Sequence, residues 1–459
     1  MITHDRPLGK LNIFSLKGVQ MRTFHITWLM FFVCFFGWFG LAPLMPSIRE
    51  EMHLTKNQVG TLVIVSVSTT ILARLLIGQL CDKWGPRRTA IRLLLLGSLP
   101  VCLVGLARDY TSFLLFRGAI GIIGASFVIT QFHTSLMFAP GIKGRANAIT
   151  GGWGNLGGGV TNMVMPLIFA AIVGMGYTRP EAWRYAMILP AVMMWIVAWL
   201  YYRYTKDTPE GNYPPRHKTG GKHRTDWSVL RDWRLWALTL AYAMCFGMEI
   251  TFDNVAALHF VDTFGLTQSA AGFWAGAFGA MNLFARALGG VASDKAGARS
   301  GMKGKGRLLG GMLLLEGTGL ILFAHAGTLV TAVILMLSFA LFLKMANGAT
   351  YGIVPFIREE NMGLVSGIVG AGGNCGGMLF GFLFRSESIS YAQAFTCIGM
   401  IILAVSLIIL LTRFGKAPQT GLDRSVAVLA LAAESPAARG DLLLKDTVPV
   451  DETALEHKG

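Results

Sequence analysis

The chain has 459 residues, of which 53% are hydrophobic and only 14% are charged, and its mean hydropathy is +0.54. Soluble proteins carry about 25% charged residues, so the composition excludes a soluble enzyme or binding module and indicates a polytopic membrane protein. The net charge of +15 does not indicate nucleic-acid binding, because the basic residues are spread between the hydrophobic segments.

The hydrophobic segments predict twelve membrane-spanning helices, since a bilayer core about 30 Å thick needs roughly 20 residues of helix. The predicted spans are 24–46, 58–80, 88–106, 111–137, 147–173, 184–204, 235–260, 269–291, 307–326, 328–354, 363–384 and 390–412. If the spans alternate in direction, the basic connections all lie on one side, which is the positive-inside pattern. This predicts a multi-pass protein of the cell membrane, inner or plasma, with both termini cytoplasmic.

Composition also predicts how the chain is divided. A stretch rich in proline, glycine and charge separates six predicted spans from the other six and is typical of a linker. The chain ends in a polar, alanine-rich segment for which we expect disorder. The predicted divisions are a cytoplasmic N-terminal tail (1–22), a first six-helix half (23–204), a cytoplasmic linker (205–234), a second six-helix half (235–413) and a disordered cytoplasmic tail (414–459).

Two segments of the chain repeat one pattern. Arg74 and Arg286 are 212 residues apart, and the same spacing relates three residues that follow each of them, Gly78, Asp82 and Gly85 in one segment and Gly290, Asp294 and Gly297 in the other. A second shared pattern, G-N-x-G-G, is centred on Asn155 and on Asn374, 219 residues apart. The repeats predict a duplicated chain with two parallel, pseudo-symmetric six-helix halves, as in major facilitator transporters.

The loop after the second predicted span matches that superfamily in full. Its sequence, G-x-L-x-D-x-x-G-x-R-R, is the cytoplasmic loop motif of major facilitator proteins, so we expect it to take part in conformational change. The motif residues are Gly78, Asp82, Gly85, Arg87 and Arg88, with Gly290 and Asp294 as counterparts in the second half. We therefore predict an all-α membrane protein of twelve helices with the major facilitator fold.

Arg74 and Arg286 lie inside predicted spans, where an unpaired guanidinium group costs several kcal/mol. One interpretation is a structural ion pair, for which Glu249, Asp253 and Glu316 are the candidate carboxylates. The other is that two arginines from matching positions face a central cavity and hold an anion between them. Arginine suits that role because its planar fork donates paired hydrogen bonds to a planar oxyanion.

Glycine-rich runs occur in the fifth and eleventh predicted spans, at 151–159 and 367–377. Close helix packing is one reason for such runs. Packing needs glycine on one helix face only, however, whereas here glycine surrounds each helix. The excess predicts bare backbone beside a cavity, with one asparagine amide in each helix, Asn155 and Asn374, available to a small anion.

The two glycine-rich runs resemble the signature sequences of the nitrate/nitrite porter family, most closely its high-affinity nitrate transporters. Similar stretches occur at 21–50, 207–212, 281–290 and 347–356, so the resemblance covers residues 20–415. It implies a secondary transporter that imports nitrate by alternating access, with the anion clamped by one arginine from each half, Arg74 and Arg286. The resemblance also implies that the substrate site contains Gly154, Asn155, Phe127, Tyr242, Asn282 and Asn374.

An inside-negative membrane potential opposes nitrate entry by about 2.3 kcal/mol per 100 mV, so accumulation needs more than one co-transported proton or an outgoing anion such as nitrite. Glu249 lies near the middle of the seventh predicted span, and the resemblance favours it as the proton-coupling group of a symporter. A Glu249 permanently paired with an arginine stays open, as do nitrate/nitrite antiport, exchange of another small anion, and a sensor that binds nitrate without moving it. The sequence does not indicate whether an accessory subunit is needed.

Other chemistry is weakly indicated. The six cysteines form no CxxC pair, and we find no metal cluster, cofactor fingerprint or nucleophile constellation, so no cofactor and no enzyme activity are predicted. His133, within the fourth predicted span, is either a proton relay or a packing histidine. Lys344, a cation within the tenth, is a candidate partner for Glu316.

Overall fold

The computed structural model describes residues 7–9, 11–212, 227–358 and 362–415, and this part of the chain consists of helices and the segments that connect them, with one bridge between Leu8 and Phe138. Much of the predicted linker and nearly all of the predicted C-terminal tail lie outside the described residues. The α-helices are α1 (Gly18–Phe39), α2 (Met45–Met52), α3 (Lys56–Trp84), α4 (Pro86–Leu103), α5 (Tyr110–Gly121), α6 (Ser126–Met137), α7 (Pro140–Gly174), α8 (Arg179–Ala186), α9 (Ile188–Tyr204), α10 (Trp233–Phe264), α11 (Gln268–Ala280), α12 (Ala285–Ala324), α13 (Leu329–Tyr351), α14 (Met362–Arg385) and α15 (Tyr391–Leu411).

Local sequence explains where several of these helices begin. Thr55, Thr178 and Ser390 each accept a hydrogen bond from the backbone three residues on, and the third residue of each helix returns one, which completes a capping box. The first helix ends at Phe39, although the sequence predicts a span up to residue 46. Pro43 and Pro46 account for the earlier end, because proline interrupts helical hydrogen bonding, and the chain turns before α2.

Eleven segments of the described chain are long and apolar enough to cross a membrane. Ten of them correspond one to one with predicted spans. The remaining one, Gln268–Ala324, is 57 residues long, and its backbone leaves helical geometry at Ser300 and Gly301. It therefore contains the predicted eighth and ninth spans in succession, and the count of twelve rests on this division.

Two of the predicted spans are interrupted near their middle. A 3-10 turn, Ile122–Ala125, separates α5 from α6, and another, Met281–Leu283, separates α11 from α12. Phe127 follows the first turn and Arg286 follows the second. Short 3-10 stretches inside long helices often mark hinges or functional positions, and here both adjoin predicted site residues.

The N-terminal and C-terminal spans meet mainly along two helix pairs, α3 with α14 and α7 with α11. Polar contacts between them are concentrated towards the end of the molecule that holds Arg49. There Arg49 forms an ion pair with Asp262 at 2.6 Å. The backbone N–H of Asn57 donates to the Glu387 carboxylate at 2.9 Å, and the Arg117 guanidinium donates to the side-chain oxygen of Asn254 at 2.6 Å. These contacts tie the two groups of spans together at the Arg49 end.

Candidate functional site

The two arginines of the repeated segments lie in one site. Arg74, on α3, and Arg286, on α12, are 8% and 7% exposed. The guanidinium carbon of each lies 5.8 Å from the centre of the same ring, that of Phe246 on α10. The fold thus brings together two cations that are 212 residues apart in the sequence.

Arg74 is held by neutral oxygen atoms. Its Nη1 donates to the carbonyl of Gly370 at 3.0 Å. With the amide of Asn374 turned so that its oxygen faces the guanidinium, Asn374 accepts from Nε at 3.1 Å and from Nη1 at 2.7 Å. Its guanidinium carbon is 5.3 Å from the ring centre of Phe127. Among the described residues Arg74 has no carboxylate partner, and its Nη2 has no hydrogen-bond partner.

Arg286, in contrast, faces a carboxylate. Its Nη2 donates to Oε2 of Glu249 at 2.9 Å, while its Nε lacks a hydrogen-bond partner within the described chain. Glu249 is 2% exposed, so this is a buried ion pair. The contact supports the ion-pair interpretation for Arg286 and gives no support to it for Arg74.

Glu249 is the centre of a dense polar cluster. The ammonium of Lys344, on α13, forms an ion pair with Oε1 of Glu249 at 2.8 Å, and the carboxylate accepts hydrogen bonds from the side-chain amides of Asn282 at 2.7 Å and Asn347 at 2.6 Å. The structure therefore pairs Lys344 with Glu249 and not with Glu316. A carboxylate shared by two buried cations and two amides is strongly stabilised in its ionised form.

Aromatic side chains form the wall between the two arginines. Tyr242 stacks on Phe246 with ring centres 5.0 Å apart, and Tyr351 meets Tyr242 edge-on at 5.1 Å. Phe127 lies 6.5 Å from Tyr351. The arrangement brings the predicted Phe127 and Tyr242 to the arginines, together with Phe246 and Tyr351, which the sequence analysis missed.

A periodicity in the sequence could have identified Phe246 and also Asn347, another residue that the sequence analysis missed. Phe246 lies one turn after Tyr242 and one turn before Glu249, on the same face of α10. Asn347 likewise lies one turn after Lys344 on α13. Searching one turn to each side of every buried ionisable residue would have found both.

Most glycines of the two signature runs allow a neighbouring helix to pack closely against them, because a side chain at these positions would collide with it. A Cβ atom on Gly154 would collide with the ring of Phe31, and one on Gly157 with the backbone of Phe32. In α14, a Cβ on Gly373 would meet the rings of Tyr242 and Phe246, and one on Gly376 the carbonyl of Ala243. Close packing therefore accounts for more of these glycines than the sequence suggested.

A few of the signature residues do adjoin the arginine site. A Cβ on Gly370 would lie 3.4 Å from the Tyr351 hydroxyl, and one on Gly151 would lie 3.7 Å from Phe127. Asn155 is buried, and its amide nitrogen donates to the carbonyl of Gly151 at 2.9 Å, which leaves its oxygen without a partner in the described part. The substrate roles of Gly154 and Asn155 stay predictions.

The loop motif is built around a contact with Asp207. Gly85 has φ of +82°, a conformation that favours glycine, and a Cβ there would collide with the Asp207 carboxylate. Both the backbone conformation and the lack of space therefore require glycine at this position. The amide of Arg87 donates to Asp207 at 2.9 Å. In the second loop Asp294 pairs instead with Lys305 at 2.8 Å. Arg88 is exposed, and the roles of Gly78, Asp82 and Gly290 in conformational change stay predictions.

Both ring nitrogens of His133 have hydrogen-bond partners in the N-terminal part of the chain. Its two ring nitrogens lie 2.6 Å from the Tyr201 hydroxyl and 2.7 Å from the carbonyl of Lys206. Both nitrogens of this buried imidazole therefore have partners. The contacts favour the packing interpretation over the proton relay.

Comparisons with known proteins identify the family of this chain. The sequence profile of the Major Facilitator Superfamily matches residues 27–381. A high affinity nitrate transporter, 2.5, of Arabidopsis thaliana is 38% identical over 418 residues, which cover 89% of this chain and 82% of the relative. The high-affinity nitrate transporter 2.3 of Oryza sativa is 37% identical over 89% of this chain and 80% of its own length.

More distant matches are consistent with these. The nitrate/nitrite transporter NrtP of Nostoc punctiforme is 29% identical over 80% of this chain and 87% of its own length. A solved structure of a bacterial homologue of the human lysosomal transporter Spinster, inward-facing and unoccupied, superposes with a TM-score of 0.64 at 16% identity. The superposition covers 86% of this chain and 96% of that one, and at this identity it shows the fold alone. The chain is therefore a multi-pass membrane transporter that belongs to the major facilitator superfamily and, within it, to the nitrate/nitrite porter family of the high-affinity nitrate transporters.

Proposed function

We propose that this protein imports nitrate across the cell membrane as a proton-coupled symporter, with the anion held between Arg74 and Arg286. The observation that carries the proposal is the placement of both guanidinium groups 5.8 Å from the ring of Phe246. Two buried cations beside one ring repel each other, and an anion that binds to both reduces that repulsion. Relatives named as nitrate transporters supply the identity of that anion.

The free donors of the site suit a small planar oxyanion. Arg74 Nη2 and Arg286 Nε are buried and unpartnered in the described structure, so each has a hydrogen bond to offer nitrate, whereas the Nη2 donor of Arg286 becomes available only when Glu249 is displaced. The aromatic rings beside them favour a flat ligand. In this proposal Asn374 and Asn282 act by orienting Arg74 and Glu249, whereas the unpartnered amide oxygen of Asn155 can only accept a hydrogen bond and gives nitrate no donor.

Glu249 supplies a physical reason for proton coupling. Its carboxylate engages Arg286, so an incoming nitrate competes with it for the same guanidinium. Protonation of Glu249 removes that competitor and leaves Arg286 free for nitrate. Proton and nitrate binding then favour each other, and by linkage each raises the affinity for the other by the same factor.

Alternating access requires the seal at one end of the site to open as the other closes. We assign the contacts at the Arg49 end to the outer seal and the loop that contains Asp82 to the cytoplasmic side, which follows the positive-inside pattern of the sequence. In this orientation the N-terminus is cytoplasmic. Rocking of the N-terminal against the C-terminal spans, along α3–α14 and α7–α11, would exchange the two openings.

Uptake of labelled nitrate into proteoliposomes, with pH gradient and membrane potential imposed separately, tests the proposal. We expect an acidic exterior to drive accumulation in the parent protein. Glu249→Gln should still exchange internal for external nitrate but should lose accumulation driven by pH. If Glu249→Gln accumulates nitrate as well as the parent does, Glu249 is not the coupling group.

Nitrate/nitrite antiport is the second candidate, because a relative from Nostoc punctiforme is named a nitrate/nitrite transporter. The same vesicles distinguish it. An antiporter would accumulate nitrate only when loaded with nitrite and would ignore the pH gradient. Failure to take up nitrate under either condition would overturn the proposed function altogether.

A further inference from the structure

Arg117 is a third buried arginine, which nitrate binding as proposed above does not use. It lies on α5, in the N-terminal spans, and is 1% exposed. Its Nη1 donates to the carbonyl of Trp38 at 2.7 Å, and its Nη2 donates to the side-chain oxygen of Asn254 at 2.6 Å. No carboxylate of the described chain forms an ion pair with it, so neutral oxygen atoms alone hold this cation. A buried cation without a counter-ion is energetically unfavourable, and in a membrane-spanning segment it indicates a function.

One of the two hydrogen bonds of Arg117 has a structural explanation. Helix α1 ends at Phe39, so the carbonyl of Trp38 is one of the last four, which have no partner within the helix. An arginine that donates to such a carbonyl also interacts favourably with the negative end of the helix dipole. This explains the bond from Nη1. It explains neither the bond from Nη2 nor the buried Nε, which has no hydrogen-bond partner in the described chain.

The Nε–Nη2 edge of Arg117 resembles that of Arg286. In both arginines Nε is buried and unpartnered among the described residues, and Nη2 donates to a side chain of α10. The acceptor is Asn254 for Arg117 and Glu249 for Arg286. Two donors on one edge of a guanidinium group match a planar oxyanion, which accepts two parallel hydrogen bonds. Each arginine can therefore present such an edge once its partner on α10 moves away.

Helix α10 places the contact of Arg117 between the outer seal and the coupling site. Glu249, Asn254 and Asp262 follow one another along this helix, and Asp262 is the partner of Arg49 in the seal. At the helical rise, Asn254 lies about 8 Å from Glu249 and about 12 Å from Asp262 along the axis. Asn254 and Arg49 both line a small cavity of about 30 Å³. It has room for about one or two water molecules, which is too little for a hydrated anion while the seal is closed.

Opening of the outer seal would free the Nε–Nη2 edge of Arg117, because Arg117 and Asn254 belong to the two groups of spans that separate there. We propose that Arg117 is a second anion site in the outward-open protein, at which an entering oxyanion replaces Asn254 before it reaches Arg74 and Arg286. The anion supplies both the missing acceptor and the missing counter-charge. Closing of the seal returns Asn254 to Arg117 and releases the anion inward. The inference rests on the proposed function, since it takes nitrate as the anion and the Arg49 end as the outer one.

Initial rates of nitrate uptake into the proteoliposomes described above test the inference. Arg117→Lys keeps the charge and can still donate to Trp38, but it loses the Nε–Nη2 edge. Its KM for nitrate should rise about three- to tenfold, with Vmax within about twofold of the parent. Arg117→Gln also loses the charge, so its KM should rise further. A role confined to the end of α1 instead predicts a parental KM for Arg117→Lys, because lysine also donates to carbonyl groups at a helix C-terminus.

Asn254 provides the matched variants, because they change the same hydrogen bond from its other end. In Asn254→Ala the anion no longer displaces an amide, so KM should fall by about two- to threefold. In Asn254→Asp a carboxylate holds the edge of Arg117, as Glu249 holds that of Arg286, so KM should rise about tenfold. A rise in KM for Asn254→Ala as large as that for Arg117→Lys would show that uptake needs the hydrogen bond itself, and would overturn the inference.

Nitrate binding to the purified full-length protein, measured by calorimetry, locates the effect. Arg117→Lys leaves Arg74 and Arg286 unchanged, so its nitrate Kd should stay within about twofold of the parent. A rise in Kd equal to that in KM would place the effect at those two arginines and overturn the inference. So would a parental KM in Arg117→Lys, the variant that decides the question if Arg117→Gln does not fold. Failure of the proposed function is distinguishable, because the parent itself would then take up no nitrate.

Discussion

Arg74 and Arg286 occupy matching positions of a repeated sequence, yet their surroundings differ in charge. Arg74 is bound by the carbonyl of Gly370 and the amide of Asn374, whereas Arg286 is bound by the carboxylate of Glu249. Backbone packing is alike in the two groups of spans, since Gly157 contacts the α1 backbone and Gly376 contacts that of α10. The two arginines thus share a scaffold but not a charge environment, and in the proposed mechanism Arg74 is always available to the anion, whereas the full guanidinium fork of Arg286 is available only when Glu249 is displaced.

The largest effect should come from removing the planar fork of either arginine. Arg74→Lys and Arg286→Lys keep the charge but lose paired hydrogen bonds, at about 3 kcal/mol or roughly 100-fold in nitrate Kd. Only Arg286→Lys should also alter the pH dependence of binding. Calorimetry at several pH values measures both, with the exposed Arg108→Lys as control, and parental affinity in either buried variant would refute the arginine clamp.

The shared packing predicts that matching glycines respond alike. Gly157→Leu and Gly376→Leu would each push a side chain into neighbouring backbone, so we expect transport below about a tenth of the parental rate in both. The matched control is Gly311→Leu, since a Cβ at Gly311 meets no atom within 4 Å. Vesicle uptake, normalised to the amount of inserted protein, checks this. Normal uptake by both variants would show that close packing at these glycines is dispensable.

The asymmetry itself can be broken by giving Arg74 a carboxylate of its own. Asn374→Asp should place an anion beside Arg74 as Glu249 stands beside Arg286. When ionised it competes with nitrate, so we expect Kd at neutral pH to rise about 10- to 100-fold. Acidification protonates the new carboxylate and should restore affinity.

Asn374→Ala is the control for that experiment. It removes the amide acceptor without adding charge, so its affinity should show no recovery at low pH beyond that of the parent. An Asn374→Asp variant that binds nitrate like the parent at every pH would mean that Arg74 does not contact the anion.

The smallest effect is expected in the loops, where the two halves of the repeat also differ. Asp207→Ala removes the acceptor for the amide of Arg87, at about 1–2 kcal/mol of stability. We expect a lower thermal unfolding temperature and a modestly slower transport rate, with nitrate Kd unchanged because the loop lies away from the arginines. A changed Kd with parental stability would contradict this assignment.

Much of the site could be read from the sequence because membrane burial restricts charge so strongly. Arg74, Arg286 and Glu249 are noticeable in apolar segments, and the fold brings them to one site. The partner of Lys344 could not be read in the same way. Lys344 has several acidic residues at comparable depth, and only the rotation of α10, α12 and α13 about their axes decides that Glu249, not Glu316, faces it.

The sequence alone determined the membrane class, the positions of the spans, the duplicated arginines and the family, because hydropathy, periodicity and motif spacing are properties of the chain itself. Tertiary structure alone decided which glycines pack closely against a neighbouring helix and which of the two arginines is paired with a carboxylate. It also revealed Phe246 as the ring between them and Glu316 as a buried carboxyl without a hydrogen-bond partner in the described chain. These depend on distances of a few ångströms between helices far apart in sequence, where a turn of about 100° per residue changes every contact.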